Sequence, residues 1–225
     1  MTFSIVGRCE RTRMLGIAIT TSSICVGARC PWVRAHVGAV ATQNITHPGL
    51  GNRILDLLEA GNQPQAALDM VVQEHEHIAY RQLTVVDVRG RTAAYTGAET
   101  LGINAQQPGR DCVAAGNLLS GAHLPPAMVS EFEAAPHKHL AQRLLDALQA
   151  GVDSGGEQSA VQSAALLVAH EQAFPLVDLR VDRDVSDPVR SLHELWCAYE
   201  PQMQDYLMRA IDPGKAPSYG VPGDP

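Results

Sequence analysis

The hydrophobic period of this chain changes in blocks, and the order of the blocks limits what it can fold into. Residues 2–8 alternate as a strand, with Phe3 and Ile5 on one side of Ser4. A polar loop over 7–13 leads back through a second strand, 15–21, with Ile17 and Ile19 on one face. Short strands are expected at 24–28 and 37–42, the latter rich in small residues. The period then becomes helical. Ile54, Leu55, Leu57 and Leu58 share a face over 51–60, and Gly61 closes that helix. Pro64 opens a second helix, with Ala67, Leu68, Val71 and Val72 as its stripe. Alternation resumes at 81–88 and 91–96 around an Arg89-Gly90 turn, and again at 111–118. Helices follow at 125–134 and 138–150, the second stopping at Gly151. Strands at 163–170 and 175–181 precede a terminal helix from Asp187-Pro188 to about Arg209. Strands that come as hairpins make antiparallel sheets, and helices that come in pairs cover them. The simplest packing that buries both is an α+β fold, a four-layer αββα sandwich of two mainly antiparallel sheets.

With 225 residues and aromatics at only 4%, one core built on Ala, Val, Leu and Ile is expected. A single domain is predicted over 1–210, followed by a Pro/Gly-rich tail over 211–225. The net charge of −7 argues against nucleic-acid or anionic-membrane partners. The apolar runs fall short of the ~20 residues that span a bilayer. Arg8, Glu10, Arg11 and Arg13 are too early for a signal peptide, so a cytoplasmic protein is expected. Five cysteines, Cys9, Cys25, Cys30, Cys112 and Cys197, form no CxxC spacing. Neither His75/His77 nor His137/His139 has the i, i+4 spacing of a zinc helix, so both pairs read as surface and no metal or other cofactor is expected. The terminal helix carries Leu192, Leu195, Trp196, Tyr199, Met203 and Leu207. That stripe fits a homo-oligomer contact or docking within the chain.

Thr2 carries the most chemistry. If Met1 is removed, one residue holds both a hydroxyl nucleophile and an α-amine that titrates near ~7.7–8.0, able to take the hydroxyl proton. The other reading is that Thr2 merely begins a strand.

The segments TFSIVGR, LGIAITTS, PWVRAHVGAVATQ, GLGNRILDLLEAG, RQLTVVDVRGRTAAYTG, AGNLLSG, QSAALLV, VDLRVD and DPVRSLHEL occur in this order. In them the chain resembles DUF1028, a family of unknown function placed among the N-terminal nucleophile (Ntn) hydrolases, over about residues 2–192. The resemblance implies Thr2 as nucleophile and base of an amidohydrolase acting on a small linear or cyclic amide. The alternative is a non-catalytic ligand-binding or scaffold protein of the same fold; a nucleophile elsewhere, Ser22 or Cys9, is the third possibility. Under the Ntn reading, Ser4 shares the Thr2 face and either orients the amine or is a satisfied buried hydroxyl. Asn117 supplies an oxyanion donor or is a left-handed turn residue, with Gly116 admitting a close backbone approach. Ser22, with Thr21 and Ser23, ends the second strand near the start of the first, and Gln43 can hydrogen-bond an amide. Arg81, Asp87 and Arg180 are charges inside apolar runs. Either they pair, Arg180 with Asp178 on its own strand face, or an Arg fork grips a substrate carboxylate. The family's pattern has a basic Gly-Asp-x-Arg-Gly run before the QSAALLV strand. Here 155–159 read Gly-Gly-Glu-Gln-Ser and the Arg is absent, which implies a different or less acidic substrate.

Overall fold

The computed structural model describes residues 2–220. Its strands are β1 (Thr2–Arg8), β2 (Leu15–Thr21), β3 (Pro31–Arg34), β4 (Gly38–Asn44), β5 (Arg81–Asp87), β6 (Thr92–Thr96), β7 (Ala105–Gly109), β8 (Cys112–Asn117), β9 (Ser163–Ala169) and β10 (Val177–Val181). The helices are α1 (Gly49–Glu59), α2 (Pro64–Glu74), α3 (Leu124–Ala134), α4 (Leu140–Asp153), α5 (Pro188–Tyr199) and α6 (Met203–Ile211). One sheet has the order β10-β9-β2-β1-β8-β7 and the other β3-β4-β5-β6. The strand pairings within both sheets are antiparallel.

Alternation along the strands sorts their side chains into three cores. Phe3, Ile5, Ala18, Ala114 and Leu166 leave the six-stranded sheet outward and meet Met128, Phe132, Leu144, Leu148, Leu192 and Trp196 of α3, α4 and α5. Val40, Leu83 and Val85 leave the other sheet toward Leu50, Ile54, Leu68 and Val71 of α1 and α2. Between the sheets lie Val6, Leu15, Ile17, Ile19, Ala39, Ala41, Val86 and Val113. The fold is thus an α+β, four-layer αββα sandwich. Phe3 and Ile5 are wholly buried, each stabilising the placement of β1 by roughly 1.5–3 kcal/mol.

Four expectations shift at the level of elements. Residues 24–28 form a 3₁₀ turn at Val26–Ala28 behind a left-handed Cys25, φ 57°, and the third strand lies at Pro31–Arg34. An extra strand, β7, occupies the sheet edge, where the missing N–H of Pro108 costs no ladder bond. Helix α4 continues through Gly151 to Asp153. That glycine is a contact: an added Cβ would sit 2.8 Å from Cε2 of Phe3. The terminal helix breaks at Glu200–Gln202 around Pro201, which cannot continue the α-helical ladder. Leu192, Trp196 and Met203 from its stripe dock on the core of this same chain, while Leu195 stays exposed. Among the described residues no helix is long and apolar enough to cross a membrane. The expected tail extends past the described residues at 221–225, and Met1 also lies outside them.

Candidate active site

The middle layer changes character along its length. Apolar side chains fill most of it, but at the end where β1 begins the inward positions are all polar. Thr2 is flanked in the six-stranded sheet by Thr21 on β2 and Asn117 on β8. Direct cross-strand partners on one face stand ~4.5–5.5 Å apart at Cβ, so three polar side chains form a row. The Thr2 and Thr21 hydroxyls are 3.1 Å apart. Ser4, one step deeper on the same face, donates to Oε1 of Gln43 on the opposite sheet at 2.7 Å.

A ladder of amides continues from there. Gln43 Nε2 donates to Gln82 Oε1 at 2.7 Å, and Asn117 Nδ2 donates to the same oxygen at 3.2 Å. Gln82 Nε2 donates to the Gly116 carbonyl and to Thr96 Oγ1, both at 3.1 Å. Each amide orientation is forced by its neighbour. Gln82 accepts twice through oxygen, so Gln43 and Asn117 must both present nitrogen to it. Asn117 Oδ1 is then left buried without a hydrogen-bond partner among the described residues. A buried amide oxygen without a partner costs on the order of 1–3 kcal/mol and marks a place where a ligand donor can bind.

Thr2, Ser4, Asn117 and Gln43 therefore lie together at this end of the middle layer, and Thr21 joins them. Ser22 borders the group, half-buried, its carbonyl accepting from Gln162 Nε2 at 2.9 Å. Gly116 faces away from the row. An added Cβ there would meet Leu119 Cδ2 at 2.5 Å and Phe3 Cβ at 3.0 Å, so its missing side chain makes room for Leu119 and Phe3. The left-handed residue is not Asn117 but Leu118, φ 51°, where an L side chain is strained. Arg81 alternates with Gln82 and so lies on the other face, its guanidinium donating to the Ile45 carbonyl. Arg180, on β10, is separated from β1 by two strands, β9 and β2. Asp178 occupies its fork through bonds of 2.7 and 2.9 Å, the intrachain pairing rather than a free carboxylate grip. Cys9 is buried beyond the opposite end of β1.

Two residues of this region escape the sequence reading. Gln82 sits in an apolar run on an inward face, a signal as good as that of Gln43. Glu157 follows two positive-φ glycines, Gly155 at 105° and Gly156 at 60°, which turn the chain back from α4. It bridges to Leu119 and is 8% exposed, and both carboxylate oxygens are buried without a regular hydrogen bond among the described residues. Burial pushes this carboxyl up to about 7, partly offset by the nearby hydroxyl and N–H of Ser22.

Thr2 is 5% exposed. Two large surface cavities lie elsewhere. One of about 910 Å³ is bordered by Arg180, Asp184 and Ser191, and one of about 780 Å³ by Cys9, Arg110 and Arg143.

The fold is a four-layer α+β sandwich with Thr2 at the start of a central strand. The chain belongs to the DUF1028 family, a family of unknown function whose model matches residues 2–192. Its structure is similar to that of protein SPO2555 from Silicibacter pomeroyi, of the same family, with 32% identity, TM-score 0.82 and 88% of each chain covered. Lesser likenesses are to Anbu (ancestral beta-subunit) from Yersinia bercovieri, at 9% identity and TM-score 0.39 over 97% of this chain and 100% of that one. Anbu from Hyphomicrobium sp. strain MC1 aligns at 12% and 0.44 with the same coverage. At those scores they carry nothing about chemistry. Among curated proteins none matches the sequence.

Proposed function

We propose that this protein is an amidohydrolase that cleaves a small linear or cyclic amide with Thr2 as nucleophile after removal of Met1. The supporting observation is the polar row itself: a threonine at the first position of a central strand, flanked by Thr21 and Asn117 and backed by an amide ladder. The Thr2 Oγ1 attacks the carbonyl carbon and its proton passes to the α-amine, directly or through a water. The tetrahedral oxyanion collapses to an ester on Thr2, and the leaving nitrogen departs with the proton from the ammonium. Water then hydrolyses the ester. Asn117 serves this sequence in two ways. One Nδ2 hydrogen is committed to Gln82, so the second is the oxyanion donor, and Oδ1 accepts from the substrate amide N–H. Ser4 and Gln43 set the ladder, and Ser22 borders the leaving-group side.

The test begins with intact mass, which reports whether Thr2 is the first residue. Turnover of a panel of linear amides and cyclic imides is then compared for the parent, Thr2→Ser and Thr2→Ala. Thr2→Ala is expected to lose at least about 10³-fold, the scale of removing a nucleophile, while Thr2→Ser retains measurable rate. Equal turnover in Thr2→Ala would remove Thr2 from the mechanism. The burial of Thr2 favours a second reading, a non-catalytic protein of this fold. A β-lactone probe separates the two: a mass increase on Thr2 supports catalysis, and an unmodified Thr2 supports the binding protein.

A further inference from the structure

Glu157 is a carboxylate buried where the sandwich has no structural use for a charge. Its backbone is held on the β8 side of the sheet. Leu119 bridges to it, and the flanking residues tie in through Ser120 N to Gly156 O at 3.0 Å and Gln158 N to Leu118 O at 2.9 Å. Its carboxyl, however, is beside Ser22, which continues β2. Strand β1 lies between β8 and β2. A residue anchored on one neighbour with its side chain against the other spans the strand between them. Residues 157–162 complete the crossing, with Gln162 N donating to the Thr21 carbonyl at 2.8 Å. Thr2 pairs with Thr21 and Asn117, so the next step outward, flanked by Ser22 and Leu118, is where the α-nitrogen of Thr2 points.

We propose that Glu157 is a positioning residue that pairs with the α-ammonium of Thr2 once Met1 is gone and fixes the orientation of that nitrogen beside Oγ1. The proposal rests on Thr2 heading the mature chain. Of the segments bordering the start of β1, residues 21–23, 118–122 and 157–163, Glu157 is the single titratable side chain. From the facing end of the four-stranded sheet the charged residue is Arg81, which is turned to the Ile45 carbonyl. Within those segments Glu157 is thus the counter-ion available to the ammonium. Without it, a buried amine would be pushed toward its neutral form with no fixed orientation. Burial raises this carboxyl's affinity for protons, and positive charge beside it acts in the opposite direction.

The experiment uses full-length protein released from a cleavable fusion so that Thr2 is the first residue, labelled with ¹⁵N-threonine. The α-amine is titrated by NMR in the parent, Glu157→Gln and Glu157→Asp, with thermal melts confirming that each is folded. The parent amine is expected to bind its proton at least about tenfold more tightly than in Glu157→Gln, one pKa unit, with Glu157→Asp in between. Equal titration in the parent and Glu157→Gln overturns the proposal. This readout does not depend on turnover. If Thr2→Ala were to keep full activity while the amine still responds to Glu157, the hydrolase reading would fail and the ion pair would stand.

Discussion

Glu157 shows how a single residue can lower stability where a site requires it. Its carboxyl binds protons more tightly folded than unfolded, where it titrates near 4.5, because burial raises it to about 7. The folded state is therefore favoured below the unfolded value, and that contribution is lost as pH rises through about 7. Glu157→Gln is neutral throughout. On protein that retains Met1, the variant is expected to melt with the parent at pH 4.5 and above it at pH 8. Each kcal/mol corresponds to about 2–4 °C in a chain of this size. Calorimetry at the two pH values checks this, and a constant offset would contradict it. None of it is legible from the sequence. Glu157 stands in a polar stretch after two glycines, and only the path of residues 157–162 from Leu119 to Thr21 brings it to this end of the sheet. Thr2, Ser4 and Gln43 are legible because alternation assigns each a face within its own strand. Their partners across strands and sheets are not, since register and sheet order are tertiary facts.

At the scale of elements, local pattern predicts well where one period dominates and fails where a residue serves a neighbour. Strand β7 carries Gln106, Gln107 and Pro108 and shows no apolar alternation; it exists because β8 offers an edge. Gly151 looks like a helix stop yet lies inside the last turn of α4, where Phe3 fills the space beside it. Arg143 is the strongest case. It is 6% exposed on α4, its guanidinium 3.9 Å above the Phe132 ring. It donates twice to the Phe132 carbonyl, at 3.2 and 2.9 Å. That carbonyl belongs to the last turn of α3, whose acceptors lack helical partners. One side chain therefore ends one helix and packs it against the next. Arg143→Met keeps much of the stem's packing and loses both bonds, leaving a buried acceptor that costs on the order of 1–3 kcal/mol. A drop in melting temperature of roughly 3–10 °C is expected. Arg143→Lys should recover only part of it, because an ammonium cannot reproduce the planar fork. A Lys variant as stable as the parent would show that charge alone suffices.

Across the whole molecule, the two sheets meet through an apolar middle that gives way to amides at one end. The apolar part follows from composition, since a chain poor in aromatics can bring sheets together on Val, Ile and Ala. The amide part does not help stability by the same logic. Gln43 and Gln82 could be leucines, and the sheets would still pack. Their hydrogen bonds form a single circuit from Ser4 through Gln43 and Gln82 to Asn117, Gly116 and Thr96. A circuit is costly to interrupt at one point and cheaper to remove whole, because the cost lies in the orphaned partner. Gln82→Leu leaves the Gln43 and Asn117 nitrogens and the Gly116 carbonyl without their partner, and is expected to lose about 3 kcal/mol or more. Gln43→Leu orphans Ser4 and one acceptor on Gln82 and should lose less. In the double variant the Gln43–Gln82 contact becomes apolar on both sides. Its loss should fall short of the sum of the single losses by on the order of 1–2 kcal/mol, a coupling readable in a double-mutant cycle by urea denaturation. Turnover supplies the second axis. If the circuit exists to hold Asn117 with Nδ2 inward and Oδ1 toward Thr2, the double variant regains stability without regaining activity. Full additivity in the cycle would mean that the two glutamines act independently. Recovery of turnover together with stability would mean that the orientation of Asn117 does not depend on them.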